Sequence, residues 1–349
     1  MTHFTEHFGL DHCENPIIIG GSGSTGSTLL STILNRHPEV AIGPELSLFN
    51  KPVLYQQPYT KFKRNLERYI NIGISTKGWY LYLRTFRELE HFGWDKNSII
   101  ELSNECNNIR EFIDRFFTRY LTINEKNIWG EKTPSNSYYF DSFLDLYPKA
   151  RIIHIVRDVR DVVASFKKRG MNSYTSSMQW LYNTAMGLRL NQNKAYYQIS
   201  YEDLVSDTEK SLQNLCGFLN IDFDKSMIMP SNENKEIYID SWRNKPSGPI
   251  KSSSIGNNKK ILNRYDYFIF DHIQISKNHI NKFGIKNKSI HSVNKVLGGY
   301  KHKLKCTIFN KIFYWIRLVL SITQDKIKRV IVMIRIDRNF YSFPGSLRF

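Results

Sequence analysis

Pro16-Ile17-Ile18-Ile19 runs directly into Gly20-Gly21-Ser22-Gly23-Ser24-Thr25-Gly26-Ser27-Thr28, and from there into Leu29, Leu30, Ile33 and Leu34. The short β-branched run reads as a buried strand, and the apolar residues at helical spacing read as the helix that follows it. Glycines between the two let backbone N–H groups close around an anion at the helix N-terminus. Gly21 and Gly26 have the spacing of the nucleotide-triphosphate loop GxxxxGK[ST], yet Ser27 occupies the position where that loop carries its lysine. The stretch predicts an α/β phosphate-binding fold whose ligand does without that cation.

Outward from this loop, strand-like and helical segments alternate. Ile109, Phe112, Ile113, Phe116, Phe117 and Tyr120 keep helical spacing inside a mixed helical stretch from about 60 to 122. Asn127 to Trp129 leads into Gly130-Glu131-Lys132-Thr133-Pro134, and an amphipathic helix is expected over Ser137 to Tyr147. The run Arg151 to Arg157 is β-branched and short enough for a buried parallel strand. Helices are expected from Asp158, over Ser176 to Asn193 and over Thr208 to Leu219, with a strand at Tyr196 to Tyr201. A polar stretch from Ser231 to Lys260 reads as a long loop, followed by a helix over Asp266 to Phe283. Such alternation requires crossover connections. The expected fold is a P-loop-like, three-layer α/β arrangement, with a mostly parallel central sheet flanked by helices and a basic helical C-terminal extension. Residues 1–14 read as a flexible N-terminus, 15–286 as one catalytic domain, and 287–349 as the basic, partly apolar extension. Ligands of such sheets bind beyond the C-terminal ends of the strands.

The chain has 49 Lys and Arg against 32 Asp and Glu, a formal charge of +17, which favours anionic partners. Residues 301–349 hold 11 of the basic residues and only Asp325 and Asp337 against them, so 11 − 2 = +9 lies in that segment. Within it Ile312 to Ile322 is strongly apolar but carries Arg317 and falls short of the roughly 20 residues a membrane span needs. Two readings stand: a helix lying on an anionic membrane surface, or a helix docked on the core with a solvated basic face. No reading helix or stacking motif accompanies the charge, so nucleic acid is not an expected partner. Cys13, Cys106, Cys216 and Cys306 are scattered and form no CxxC, which suggests neither a zinc site nor a disulfide framework and fits a reducing cytoplasm. The N-terminus lacks the basic start and apolar region of a secretory signal.

A second phosphate-binding candidate is Arg157-Asp-Val-Arg-Asp-Val-Val-Ala-Ser165, which follows the strand Arg151 to Arg157. An arginine at a strand end and a serine on the second turn of the next helix can share one phosphate. The plainer alternative pairs Arg157 with Asp161. With both loops in place, the sequence resembles the sulfotransferases that use 3′-phosphoadenosine 5′-phosphosulfate (PAPS), most of all their bacterial and tyrosylprotein-like branch. The likeness rests on Ser24-Thr-Gly-Ser-Thr28, Gly43-Pro-Glu45, Lys132-Thr-Pro134, the Arg157 to Ser165 element, Tyr201-Glu-Asp-Leu204 and Phe218-Leu-Asn-Ile221, in that order across about residues 15 to 285.

That resemblance implies PAPS as cosubstrate, no metal, and an acceptor hydroxyl on a carbohydrate, protein tyrosine, lipid or small molecule. It implies that Gly23, Ser24, Thr25, Gly26, Ser27 and Thr28 cradle the 5′-phosphosulfate, while Arg157 and Ser165 hold the 3′-phosphate. Tyr201 would lie by the adenine and Lys260 would come from a late nucleotide-covering loop. Lys132 would contact the bridging oxygen and the 5′-phosphate, and Glu45 would act as base toward the acceptor. The missing loop lysine then has an account, because a sulfuryl group carries one negative charge fewer than a phosphoryl group and demands less neutralisation. One departure stands out: Ser24 occupies the place where the family usually has Arg or Lys. Slower chemistry, a substitute cation or lost activity all follow as readings. A nucleotide kinase and a non-catalytic anion- or membrane-binding relative of the fold are the alternatives. The expected location is cytoplasmic, with peripheral membrane contact as an option. His37, in Asn35-Arg-His-Pro38, reads as a turn-closing residue, and His154, mid-strand, as a core residue rather than a base.

Overall fold

The computed structural model describes residues 15–75, 85–86, 88–229, 250, 252–273 and 308–335. The N-terminus 1–14, most of the expected loop 231–260, the far half of the helix expected to run to Phe283, and residues 287–307 and 336–349 lie outside the described residues.

Five strands form one sheet: β1 (Ile17–Gly21), β2 (Val40–Gly43), β3 (Ile128–Lys132), β4 (Arg151–Val156) and β5 (Tyr196–Ser200). Their order is β2-β3-β1-β4-β5, and every pairing is parallel. The register aligns Ile19 with Lys132, Gly43 with Glu131, Gly21 with Ile155 and Val156 with Ser200. All five strands therefore finish on the same edge of the sheet. β1 sits at its centre, with β3 on one side and β4 on the other. The chain leaves β1 for the β2 side and later crosses to β4, and a crevice opens at the strand ends where such a reversal occurs.

Both sheet faces are buried, as a parallel sheet with helical crossovers requires. Ile18, Ala41, Trp129 and Ile152 face one core, and Ile17, Ile19, Val40, Ile42, Ile153 and Ile155 face the other. This is the two-residue alternation of a strand, read here on two apolar surfaces. The first core is aromatic and is closed by the helix Ile109–Asn124, whose Phe117 stacks on Trp129 at 3.8 Å between centroids. The second is closed by the helix Ser27–Asn35 through Leu30, Ile33 and Leu34, and by Leu212 and Leu215 of the helix Thr208–Leu219. A third cluster joins the helices Val159–Lys168, Ser173–Leu188 and Arg264–His272 to the C-terminal helix Ile308–Arg335.

Several expectations shift in detail. β2 is a strand that the sequence reading leaves unassigned. The helix expected over Ser137 to Tyr147 divides into a 3-10 turn, Pro134–Tyr138, and a short helix, Phe140–Leu146. Pro134 supplies the fixed φ that opens the turn. The helix expected from Ser176 starts at Ser173, because Asn172 caps it by accepting from Thr175 N.

Candidate active site

Each strand delivers, at or just beyond its C-terminal end, a residue singled out from the sequence. β1 runs into the loop 22–26, β2 is followed by Glu45, β3 ends at Lys132, β4 precedes Arg157 and β5 precedes Tyr201.

The loop is shaped by its own residues. Ser24 and Gly26 take positive φ, 68° and 93°, which bends successive N–H groups into an anion-binding concavity at the helix start. Thr25 is fully buried and its hydroxyl donates to Ser22 O at 2.7 Å, so its side chain braces the turn. At Gly26 the constraint is double: the conformation disfavours a side chain, and a Cβ would stand 2.4 Å from the Tyr201 ring.

On one side of the loop, Lys132 Nζ lies 2.9 Å from Glu45 Oε1 and donates to Thr28 Oγ1 at 3.3 Å. Lys132 is 2% exposed and Glu45 18%. A pair this dry is strongly coupled, and removing either member strands a charge on the other.

On the other side, Arg157 Nη1 donates to Ser24 O at 3.2 Å and Nη2 to Ser254 O at 2.8 Å. Its guanidinium carbon sits 4.2 Å from the Tyr201 ring centroid, a cation–π contact. Ser165 Oγ donates to Ser24 Oγ at 3.1 Å. Arg157 Nε is buried and has no hydrogen-bond partner among the described residues. A buried donor left unmade costs about 1–3 kcal/mol, so a site that accepts an anion is consistent with this arginine. Asp161 is not its partner. That carboxylate accepts instead from Gly256 N, Asn258 N and Asn258 Nδ2 at 2.8 to 2.9 Å. These bonds strap the segment Ser252–Lys260 across the site, where Ser254 also bonds the Tyr201 hydroxyl. Lys260 closes the 3-10 turn Asn257–Lys260 and is exposed.

Two residues that the sequence reading does not single out belong to this neighbourhood. Arg169, which ends the helix Val159–Lys168, donates to Ser24 Oγ and lies 4.6 Å from the Phe166 ring centroid. It brings a guanidinium to the loop position that lacks a cation. Its signal was its place four residues after Ser165, which puts both on one helix face. Glu131 is fully buried beside Lys132. Its Oε1 accepts from Leu46 N at 2.9 Å, Ser47 N at 3.4 Å and Thr133 Oγ1 at 2.5 Å, and its Oε2 accepts from Asn136 Nδ2 at 2.6 Å. Burial pushes its pKa up, and these hydrogen bonds oppose the rise.

The two histidines lie apart from this centre. His37 Nδ1 accepts from Glu39 N at 3.1 Å, which leaves Nε2 to donate to Asp222 O at 2.8 Å, so the ring closes the turn after the first helix. His154 is mid-strand, fully buried, and bonded to the Tyr196 hydroxyl at 2.6 Å.

A model of the sulfotransferase family matches residues 16–225. A relative from Caenorhabditis briggsae, named "Putative protein-tyrosine sulfotransferase", is 25% identical over 229 residues, which are 63% of this chain and 70% of its own length. Among solved structures, the sulfotransferase domain from the Synechococcus PCC 7002 olefin synthase superposes with a TM-score of 0.54 at 19% identity, covering 83% of this chain and 97% of that one. At that identity the likeness is one of fold.

Proposed function

The chain belongs to the sulfotransferase family, and from that premise we propose that its sulfuryl donor is PAPS and that the residues at the five strand ends carry the transfer. Family membership removes the nucleotide-kinase reading, in keeping with Ser27 where a kinase loop needs lysine. The acceptor is a hydroxyl, and protein tyrosine is the class named for the C. briggsae relative. Carbohydrate, lipid and small-molecule hydroxyls are further acceptor classes.

The observation that carries the reading is that one loop is gripped from both sides. Ser24 is bonded by Arg157, Ser165 and Arg169, while Thr28, four residues on, is bonded by Lys132. A ligand with two anionic ends suits two cationic poles joined by a single anion-binding turn. In this reading backbone N–H groups of residues 23–28 and the Ser27 and Thr28 hydroxyls hold the 5′ end. Arg157 and Ser165 hold the 3′-phosphate, Tyr201 packs by the base, and the strap with Lys260 covers it.

Lys132 has three N–H donors, and Glu45 and Thr28 account for two among the described residues. The third suits the oxygen on which charge grows as the S–O bond breaks. Glu45 accepts the proton of the acceptor hydroxyl as that oxygen attacks sulfur, a task that hydrogen-bond reach permits. Arg169 supplies the loop cation that Ser24 does not. Lys132→Ala should lower turnover of labelled PAPS about 10²–10³-fold, a larger loss than the weakening of desulfonated-nucleotide binding from the missing 5′-phosphate contact. An undiminished rate would remove Lys132 from the chemistry, and no sulfated product from the parent chain with any hydroxyl acceptor would remove the reading itself.

A further inference from the structure

The C-terminal helix Ile308–Arg335 presents two different apolar surfaces. One is docked. Leu318 is buried, Tyr314 and Ile322 pack on the helix cluster beneath, and Arg317 lies over the Tyr265 ring at 4.3 Å. Tyr265 and Ser321 share a hydrogen bond of 3.2 Å, and Trp315 meets Phe268 edge-on. The opposite face carries Phe309, Ile312, Phe313, Ile316, Val319, Leu320 and Ile327, each between 54% and 81% exposed.

These positions follow the i, i+3, i+4, i+7 spacing of a single helical stripe. Of the two readings of the extension, docking is present, but the outward face of the docked helix is apolar and not basic. Contiguous apolar surface on this scale marks an interaction site rather than ordinary solvent exposure. Arg317, four residues on from Phe313, borders the stripe by helical spacing, and residues 301–349 as a whole carry +9. Among the described residues, no helix is long and apolar enough to cross a membrane.

We propose that this stripe is a membrane-contact surface, which lies flat on an anionic bilayer with its large apolar side chains in the acyl boundary. An exposed apolar face on a strongly basic segment, on a helix that cannot span, has the composition of an interfacial helix. The net charge of the segment complements acidic headgroups. A second protein copy would be served by the apolar stripe but not by the charge, since two segments of +9 repel each other across an isologous contact. The surface stands independently of the transfer chemistry, so its failure and that of the sulfotransferase reading are separable.

The test uses the full chain and sedimentation with vesicles of phosphatidylcholine, with and without phosphatidylserine. Binding is expected with phosphatidylserine, to weaken with added salt, and to fall on the order of a hundredfold in an Ile316→Glu, Leu320→Glu variant, whose two altered residues lose insertion. Both positions are exposed, so the variant should fold, and its binding of 3′-phosphoadenosine 5′-phosphate checks that it does. Absence of binding by the parent chain, or equal binding by parent and variant, overturns the proposal. So does a parent dimer in sedimentation equilibrium that the same substitutions convert to monomer.

Discussion

Glu131 shows how a residue outside the reacting pair can set its geometry. Its carboxylate is bonded to the two amides that directly follow Glu45, and through Asn136 it reaches Ile19 O on the central strand. The proposed base is thus tied to the sheet by a buried acid one residue from the proposed acid, Lys132. Glu131→Gln preserves shape but turns one oxygen into a donor. Set against Asn136 Nδ2, that donor forces the Asn136 amide to flip and abandon Ile19 O. Loss of one buried bond costs about 1–3 kcal/mol, so kcat should fall roughly tenfold or more with little change in nucleotide binding. Unchanged kcat would reduce Glu131 to a packing residue. Arg169 teaches a related lesson. Sequence reading notices that Ser24 lacks a cation, and the clue that Arg169 shares a helix face with Ser165 gains meaning only once that face lies against the loop.

The strap Ser252–Lys260 is the element whose role depends most on a single acid. Asp161 accepts from two of its amides and from Asn258 Nδ2, and Ser254 is joined to both Arg157 and Tyr201. Asp161→Ala leaves these donors without their acceptor and should release the strap. Affinity for 3′-phosphoadenosine 5′-phosphate, measured by calorimetry, should drop on the order of tenfold, with Asp161→Asn intermediate because it keeps one acceptor oxygen. Full affinity in the Ala variant would mean that the strap does not cover the nucleotide. Elements of this kind mark the limit of what sequence conveys. The β1 loop, the β4 run and the helix Thr208–Leu219 are legible because glycine spacing, β-branching and helical periodicity each persist over enough residues. β2 is not, since Val40-Ala-Ile-Gly43 is only four residues long and carries no alternation that distinguishes it from a turn. Its neighbour Glu45 was found through the resemblance rather than through the strand that positions it. The strap's contacts join residues about fifty to a hundred positions apart, a separation at which no local pattern exists.

For the molecule as a whole, the sheet is both the scaffold of the site and the seat of an acid-sensitive weakness. A doubly covered parallel sheet could be anticipated from the alternation of elements, and so could the shared edge on which the site stands. Not legible was the cost of placing a histidine inside it. His154 is enclosed between Phe140, Tyr196 and Gly187, where a Cβ on Gly187 would stand 2.4 Å from the ring. Burial holds its pKa down to about 3, well below the usual 6.5. Between those two values the unfolded chain binds a proton that the folded one refuses, so stability rises with pH there and is lost as pH falls. The slope approaches about 1.4 kcal/mol per pH unit below 6.5. From pH 7 to pH 5 this one group should remove about 2 kcal/mol from the unfolding free energy, added to whatever repulsion a chain of net charge +17 acquires as carboxylates protonate. Urea unfolding of the parent and of His154→Gln at both pH values isolates the histidine. The variant starts from lower stability at pH 7 because the ring's packing is lost, yet should lose about 2 kcal/mol less on acidification. Parallel acid losses in the two proteins would show that the imidazole is protonated, or reached by water, in the folded state, contrary to its enclosure in the sheet.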